Sequence, residues 1–310
     1  LSLHAALPIS WQVAQELPYP TAGEFNRALL YDLQRGQTAV NITLDEPTSL
    51  GADPDRAGEG EVGRGGLSLS LLRDLATALA GVDLERVPVH IRAHTVALPI
   101  SAMLVALARG QGKKPKDLRA FVGMDPLAQL AERGAIPMSR ERAYREMGDL
   151  TRWAADNAPN FQTIAVHSSP YHDAGASAVE EMACAFATAV EYLAEMRARG
   201  LAATVVAPRI RFCLSIGSNF FMEIAKLRAA RAVWAKIVEE FGGDEDARRM
   251  FVHARTSARN KCRYDPYVNM LRTTTEAMSA VIGGCDSLHV SAFDEPLGLP
   301  DEFSRRIARN

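Results

Sequence analysis

From residue 39 onward the chain alternates short β-branched runs with long amphipathic stretches. Alternating apolar and polar positions predict strands at 39–44, 87–92, 119–122, 163–166, 209–214, 250–254 and 287–290. Between them, Val179, Met182, Ala183, Phe186, Val190 and Leu193 recur at three- and four-residue steps, predicting a helix over 176–196. A second stripe follows Ser218, built from Phe220, Ile224, Leu227, Trp234 and Ile237, and Gly242-Gly243 ends it. Strands alternating with helices define an α/β chain. Seven strands over roughly 260 residues fit a TIM-type (β/α)8 barrel, expected to be incomplete at its C-terminal end.

The competing architecture is a doubly wound sheet, which would place a phosphate-binding glycine turn directly after the first strand. Residues 43–46 contain no glycine. Gly58-Glu59-Gly60-Glu61-Val62-Gly63 matches G-x-G-x-x-G, but it lies well beyond the strand and brings two glutamates where a pyrophosphate needs positive potential. It is read as a loop.

The two strand parities differ in character. Val40, Ile42 and Leu44, Val89 and Ile91, Ile164 and Val166, Ile210, Phe212 and Leu214, and Val252 form an apolar set that should face the helices. The opposite set holds Asn41, Thr43, His90, Arg92, Thr163, His167, Arg209, Arg211, Cys213, His253, Arg255, His289 and Ser291. Barrels of this kind are ordinarily filled by Val, Ile and Leu. Several Arg and His occupy the space that a threaded ligand would need, so the pattern predicts a filled interior whose cations pair with acids such as Asp45.

Composition adds exclusions. With 310 residues, 47% hydrophobic, 23% charged and net charge -2, the chain can bury enough surface to fold, which excludes disorder. Its apolar runs stop short of the ~18 residues of a membrane span. Near-neutral charge gives no electrostatic reason to expect nucleic acid or an anionic membrane as partner. Cys184, Cys213, Cys262 and Cys285 stand singly, so neither a zinc site nor a disulfide framework is indicated, and a reducing cytoplasm is expected. His167 and His172 are five apart across Pro170, too irregular for a helical metal pair, and no metal site is expected. Ala6-Leu7-Pro8-Ile9-Ser10 recurs as Ala97-Leu98-Pro99-Ile100-Ser101. No architecture repeats one pentapeptide at such a distance, so 1–10 is read as a non-native segment and 11–310 as a truncated barrel.

Barrel enzymes work at the C-terminal ends of their strands. Those ends carry Asp45 and Glu46, Arg92 and His94, Asp125, the run 167–173, Ser215 with Ser218 and Asn219, 253–257, and His289 to Ser291 with Asp294 and Glu295. Tyr171-His172-Asp173 could supply a general acid with an orienting carboxylate. No G-x-S-x-G occurs, which removes an α/β-hydrolase reading. Asp294-Glu295 is read as capping the helix that follows.

Three stretches carry a resemblance: 211–231, R-F-C-L-S-I-G-S-N-F-F-M-E-I-A-K-L-R-A-A-R; 264–273, Y-D-P-Y-V-N-M-L-R-T; and 287–295, S-L-H-V-S-A-F-D-E, continuing to R-I-A-R-N at 306–310. Together with Trp11-Gln12 and the 37–45 strand they resemble the methylmalonyl-CoA mutase family over essentially all of 11–310. The resemblance implies a barrel enzyme that uses adenosylcobalamin to interconvert methylmalonyl-CoA and succinyl-CoA by a radical route. It also implies a coenzyme A tail threading the barrel and cobalamin lying on the strand C-terminal face beneath a separate domain.

Departures point to one branch. The catalytic Y-H is followed by a three-residue spacer and A-G-A, whereas here only Asp173 separates Tyr171-His172 from Ala174-Gly175-Ala176; gapless alignment puts Ser169 and Pro170 at the catalytic pair. The catalytic C-Q-T-S-G becomes Ala254-Arg255-Thr256-Ser257-Ala258. These features resemble the small (beta) subunit of the heterodimeric mutase, a non-catalytic, stabilising chain partnered by a catalytic large subunit, with the coenzyme A thioester handled at the complex. The D-x-H-x-x-G motif that ligates cobalt is absent from the sequence, so adenosylcobalamin would be held mainly by a further domain or the partner. The implied candidates are Tyr171 and His172 for catalysis; Arg133, Arg255, Ser215, Asn219 and His289 for substrate binding; and His90, Arg92, Arg211, His253 and Arg255 as barrel filling. Two alternatives stay open: a catalytic barrel using His172 as acid and Arg133 for the substrate carboxylate, and an assembly scaffold that never binds acyl-CoA.

Overall fold

The computed structural model describes residues 11–310; the non-native reading of 1–10 lies outside the described residues. Eight parallel strands form one sheet: β1 Gln12–Val13, β2 Val40–Thr43, β3 Val89–Arg92, β4 Ala120–Met124, β5 Phe161–His167, β6 Ile210–Ile216, β7 Phe251–Thr256 and β8 Ser287–His289. Their order is β1-β8-β7-β6-β5-β4-β3-β2, with every neighbour in parallel register. The two end strands meet through a Glu16–Asn41 bridge, and the amides of Thr38 and Ala39 donate to Val13 O at 3.0 and 3.2 Å. The sheet therefore closes on itself as a TIM-type barrel.

All seven expected strands form. The expectation of an eighth missing at the C-terminal end is corrected: the position between β2 and β8 is filled from the N-terminal side by β1. Two residues are too few to show a period, so Gln12–Val13 left no pattern to read.

Local chemistry explains the helices. Ser177 and Glu180 form a reciprocal capping box that starts Ala178–Ala198, and Ser139 caps Arg140–Asn157. The stripe after Ser218 becomes Phe220–Glu240, followed by Gly242 at φ 83°, a conformation that Gly adopts without Cβ strain. The apolar strand parity is buried against these helices as expected. Phe212, on β6, lies with its ring 4.9 Å from Trp234 and 5.8 Å from Phe186, and Trp234 and Phe212 are fully buried. Each such side chain contributes roughly 1.5–3 kcal/mol of transfer free energy.

Three polar expectations are corrected. Asp45 pairs with no barrel cation; its carboxylate accepts from Thr48 N at 3.0 Å and Gly63 N at 2.8 Å, fastening the 58–63 loop over the end of β2. Arg209 lies in a turn ahead of β6, donating to Val205 O at 2.8 Å, outside the barrel. Glu295 does not cap the last helix: Asp301 caps Glu302–Arg309, and Glu295 turns to Arg255. Among the described residues, no helix is long and apolar enough to cross a membrane.

Candidate functional site

The inward parity stacks along the barrel axis. Near the N-terminal end, the Arg211 guanidinium lies between the rings of Phe121 and Phe251, 4.3 and 4.1 Å from their centroids. His90 meets Phe121 and His253 edge-on, at 6.2 and 6.1 Å between ring centroids, and His253 Nδ1 pairs with Ser287 Oγ at 2.8 Å. Asn41 Nδ2 donates to Ala14 O at 2.9 Å. At the C-terminal end Arg255 Nε donates to Glu16 at 3.2 Å, its Nη2 donates to Glu295 at 3.0 Å, and His289 Nε2 faces Glu16 at 3.5 Å. The space left between these side chains is about 30 Å³, room for one or two waters. Above lies an open cup of about 420 Å³, and Glu16, Arg92 and Arg255 border both spaces. An ion-paired floor thus separates the cup from the barrel axis.

Burial sets the charge states. It pushes His90 and His94 well down, takes His253 to about 3 with help from Arg211, and lowers His289, so these rings are neutral near pH 7. Burial opposes the charged forms of Glu16 and Arg255, but each holds the other ionised, Glu16 far below the carboxylate range and Arg255 above the arginine one. His167 behaves differently. Burial disfavours its charge, yet Cys213 and Asp125, whose Oδ2 lies 2.9 Å from Nδ1, raise it to about 9. Asp125 also accepts from Tyr192 Oη at 2.6 Å and from Ala128 N at 3.0 Å.

His90 and His253 line the axial space with Arg211 stacked on Phe121 beside them, and Arg92 and Arg255 border its top. Arg92 additionally donates to Glu132 at 2.9 Å and to His94 Nε2 at 3.0 Å. Ser215 borders the axial space, and His289 borders the cup. The remaining candidates lie elsewhere. Arg133 donates to Glu46 at 3.3 Å and to Ser49 Oγ at 3.1 Å, lining neither space. Asn219 is the N-cap of Phe220–Glu240. Tyr171 reaches Thr188 Oγ1 at 3.5 Å.

His172 is drawn into a separate buried network. Its Nδ1 donates to Glu181 at 3.3 Å, which leaves Nε2 to accept from Ser257 Oγ at 2.8 Å. Glu181 also takes Lys226 Nζ at 2.9 Å, and Lys226 pairs with Glu223 at 2.6 Å. Like Tyr171, His172 borders neither axial space. Sequence reasoning missed Glu16 and this Glu181–Lys226–Glu223 cluster. Glu181 does leave a trace: it occupies an inward helical position at i−4 from buried Ala185.

The resemblance implies cobalamin, whose cobalt takes a histidine nitrogen from below. Among the described residues the histidines at this face are committed: His94 to Arg92 and Asp125 O, His167 to Asp125, His172 to Glu181 and Ser257, and His289 to Glu16. His94, His172 and His289 are engaged at both ring nitrogens and His167 is held charged by Cys213 and Asp125, so these residues do not fit as a ligand to cobalt.

The family model described as methylmalonyl-CoA mutase matches residues 8–310. Curated relatives include methylmalonyl-CoA mutase of Rhizobium meliloti, 35% identical over 100% of this chain and 43% of its own length, and that of Escherichia coli, 33% identical over 100% and 43%. The methylmalonyl-CoA mutase large subunit of Propionibacterium freudenreichii is 35% identical over 97% of this chain and 42% of its own. The chain thus spans about two-fifths of the length of these relatives. With a closed parallel barrel and a family match over nearly every residue, the chain belongs to the methylmalonyl-CoA mutase family.

Proposed function

We propose that this barrel is part of the non-catalytic, stabilising subunit of an adenosylcobalamin-dependent methylmalonyl-CoA mutase, working in the cytoplasm beside a catalytic large subunit. One observation carries the reading: the axis along which the family's coenzyme A tail would pass is filled, with about 30 Å³ left and the Glu16–Arg255–Glu295 ion pairs closing its top. A pantetheine arm needs a continuous channel, and opening one here would expose buried charges at a cost of several kcal/mol. His172 supports the same reading, because both ring nitrogens are committed to Glu181 and Ser257. The cofactor would be held mainly by a further domain or by the partner.

The function left to such a subunit is to stabilise and orient the catalytic chain and the coenzyme A thioester site within it. The test is reconstitution. Adding this chain to a catalytic large subunit should yield a 1:1 complex in which the partner's activity survives heating longer than it does alone. A partner equally active and equally durable without this chain would contradict the reading.

A further inference from the structure

A groove of about 380 Å³ runs along the outside of the barrel between the helices Ala97–Gly110 and Arg140–Asn157. The second copy of the repeated pentapeptide opens the first helix, and Leu98, Ser101, Ala102, Val105, Ala106 and Arg109 follow at helical spacing along its side of the groove. Ala102 and Ala106 are exposed and too short to meet the facing helix, so a gap remains over buried Val105 and Leu150. Trp153 forms the opposite wall, its ring edge-on to Phe161 at 6.1 Å between centroids. An apolar cleft of this volume with a few polar groups at set positions has the character of a small-molecule site.

Those polar groups are unanswered. Ser101 is 2% exposed and its Oγ is buried without a hydrogen-bond partner, which is costly for a hydroxyl. One rotation about χ1 turns it toward the groove. At the other end Arg109 is exposed and forms no ion pair among the described residues, whereas the Asp149 carboxylate accepts from Arg152 Nη1 at 3.2 Å. Ser101 and Arg109 stand about 12 Å apart along the helix axis, with the apolar lining between them.

We infer that this groove binds a small hydroxyaryl carboxylate, its ring over Val105 and Leu150 against Trp153, its hydroxyl on Ser101 and its carboxylate on Arg109. The inference is independent of the proposed subunit role. The two helices lie in the connections from β3 to β4 and from β4 to β5, and the groove shares no lining residue with the axial space or the cup.

Calorimetric titration of the whole chain with 4-(4-hydroxyphenyl)butyrate, 4-phenylbutyrate and 4-(4-hydroxyphenyl)butanamide tests it. One saturable site is expected, about fivefold weaker without the ring hydroxyl and about threefold weaker without the charge, because Arg109 is exposed. Ser101→Ala should erase the first difference and Arg109→Gln the second, each leaving the other intact. Ser101→Ala should also hold or raise the melting temperature, since the hydroxyl it removes is unpaired. Ala106→Leu, filling the groove from an exposed position, should weaken all three ligands by about tenfold or more without lowering the melting temperature. The inference is overturned by absence of saturable binding, by ligand preferences that persist in Ser101→Ala and Arg109→Gln, or by unaltered affinity in Ala106→Leu. A concentration-dependent dimer that Ala106→Leu dissolves would also overturn it, assigning the groove to a second copy of the chain.

Discussion

Arg255 stands 3.2 Å from Glu16 across the top of the barrel axis, joining the end of β7 to the segment after β1. The pair ties the closing strand of the barrel to its interior, since Glu16 also bridges Asn41 on β2. Replacing Arg255 by the glutamine that resembles the catalytic pattern would leave Glu16 and Glu295 partly buried without a cation. Arg255→Gln should cost about 3 kcal/mol in urea unfolding, and Glu16→Gln combined with it should recover much of that loss. Additive losses would show that the two residues are not coupled.

Closure itself depends on Asn41, whose side-chain amide donates to Ala14 O at 2.9 Å. Asn41→Ala should destabilise by about 1–2 kcal/mol and speed hydrogen exchange at the Thr38 and Ala39 amides, which bond to Val13 O. Unchanged exchange there would indicate that β1 is held by other contacts.

Stability should peak near pH 6.5 and fall on both sides. His253 is depressed to about 3 and His90, His94 and His289 are depressed with it, so as pH drops below about 6.5 the unfolded chain takes up protons that the folded chain refuses. His167, raised to about 9, works in the opposite direction. Its contribution is complete below about 6.5 and is lost as pH rises through 9, a decline on the order of a few kcal/mol. Urea midpoints measured across this range check both limbs, and His167→Gln should flatten the alkaline one selectively.

The buried network around His172 makes a separate prediction. His172→Ala leaves Glu181 without one of its donors and Ser257 without an acceptor, so the melting temperature should fall by several degrees. Turnover of the reconstituted complex should nevertheless change less than about threefold, whereas loss of a catalytic proton-transfer group costs about 10²–10⁴. A loss of that size with the complex intact would assign His172 to catalysis.

Much of the barrel was legible because a two-residue period is strong in β2, β5 and β6, where Ile42, Val166 and Phe212 alternate with Asn41, His167 and Cys213. The same alternation exposed the Arg- and His-rich interior. It could not show which acids answer those cations, because pairing depends on distance across the barrel rather than along the chain. Asp45 is opposite to Arg92 in charge and follows the neighbouring strand, yet helix capping captures its carboxylate; Glu16, following a two-residue strand, gives no local sign that it will meet Arg255. His172 likewise reads in the sequence as a general acid oriented by Asp173, because its actual partners Glu181 and Ser257 come from a helix and from the end of β7.

The most direct measurement is turnover by the pure chain supplied with adenosylcobalamin and methylmalonyl-CoA, followed as succinyl-CoA formed. With the axis filled and His172 committed to Glu181 and Ser257, no turnover above the no-enzyme rate is predicted until the catalytic partner is added. Sustained formation of succinyl-CoA by the chain alone would contradict the account.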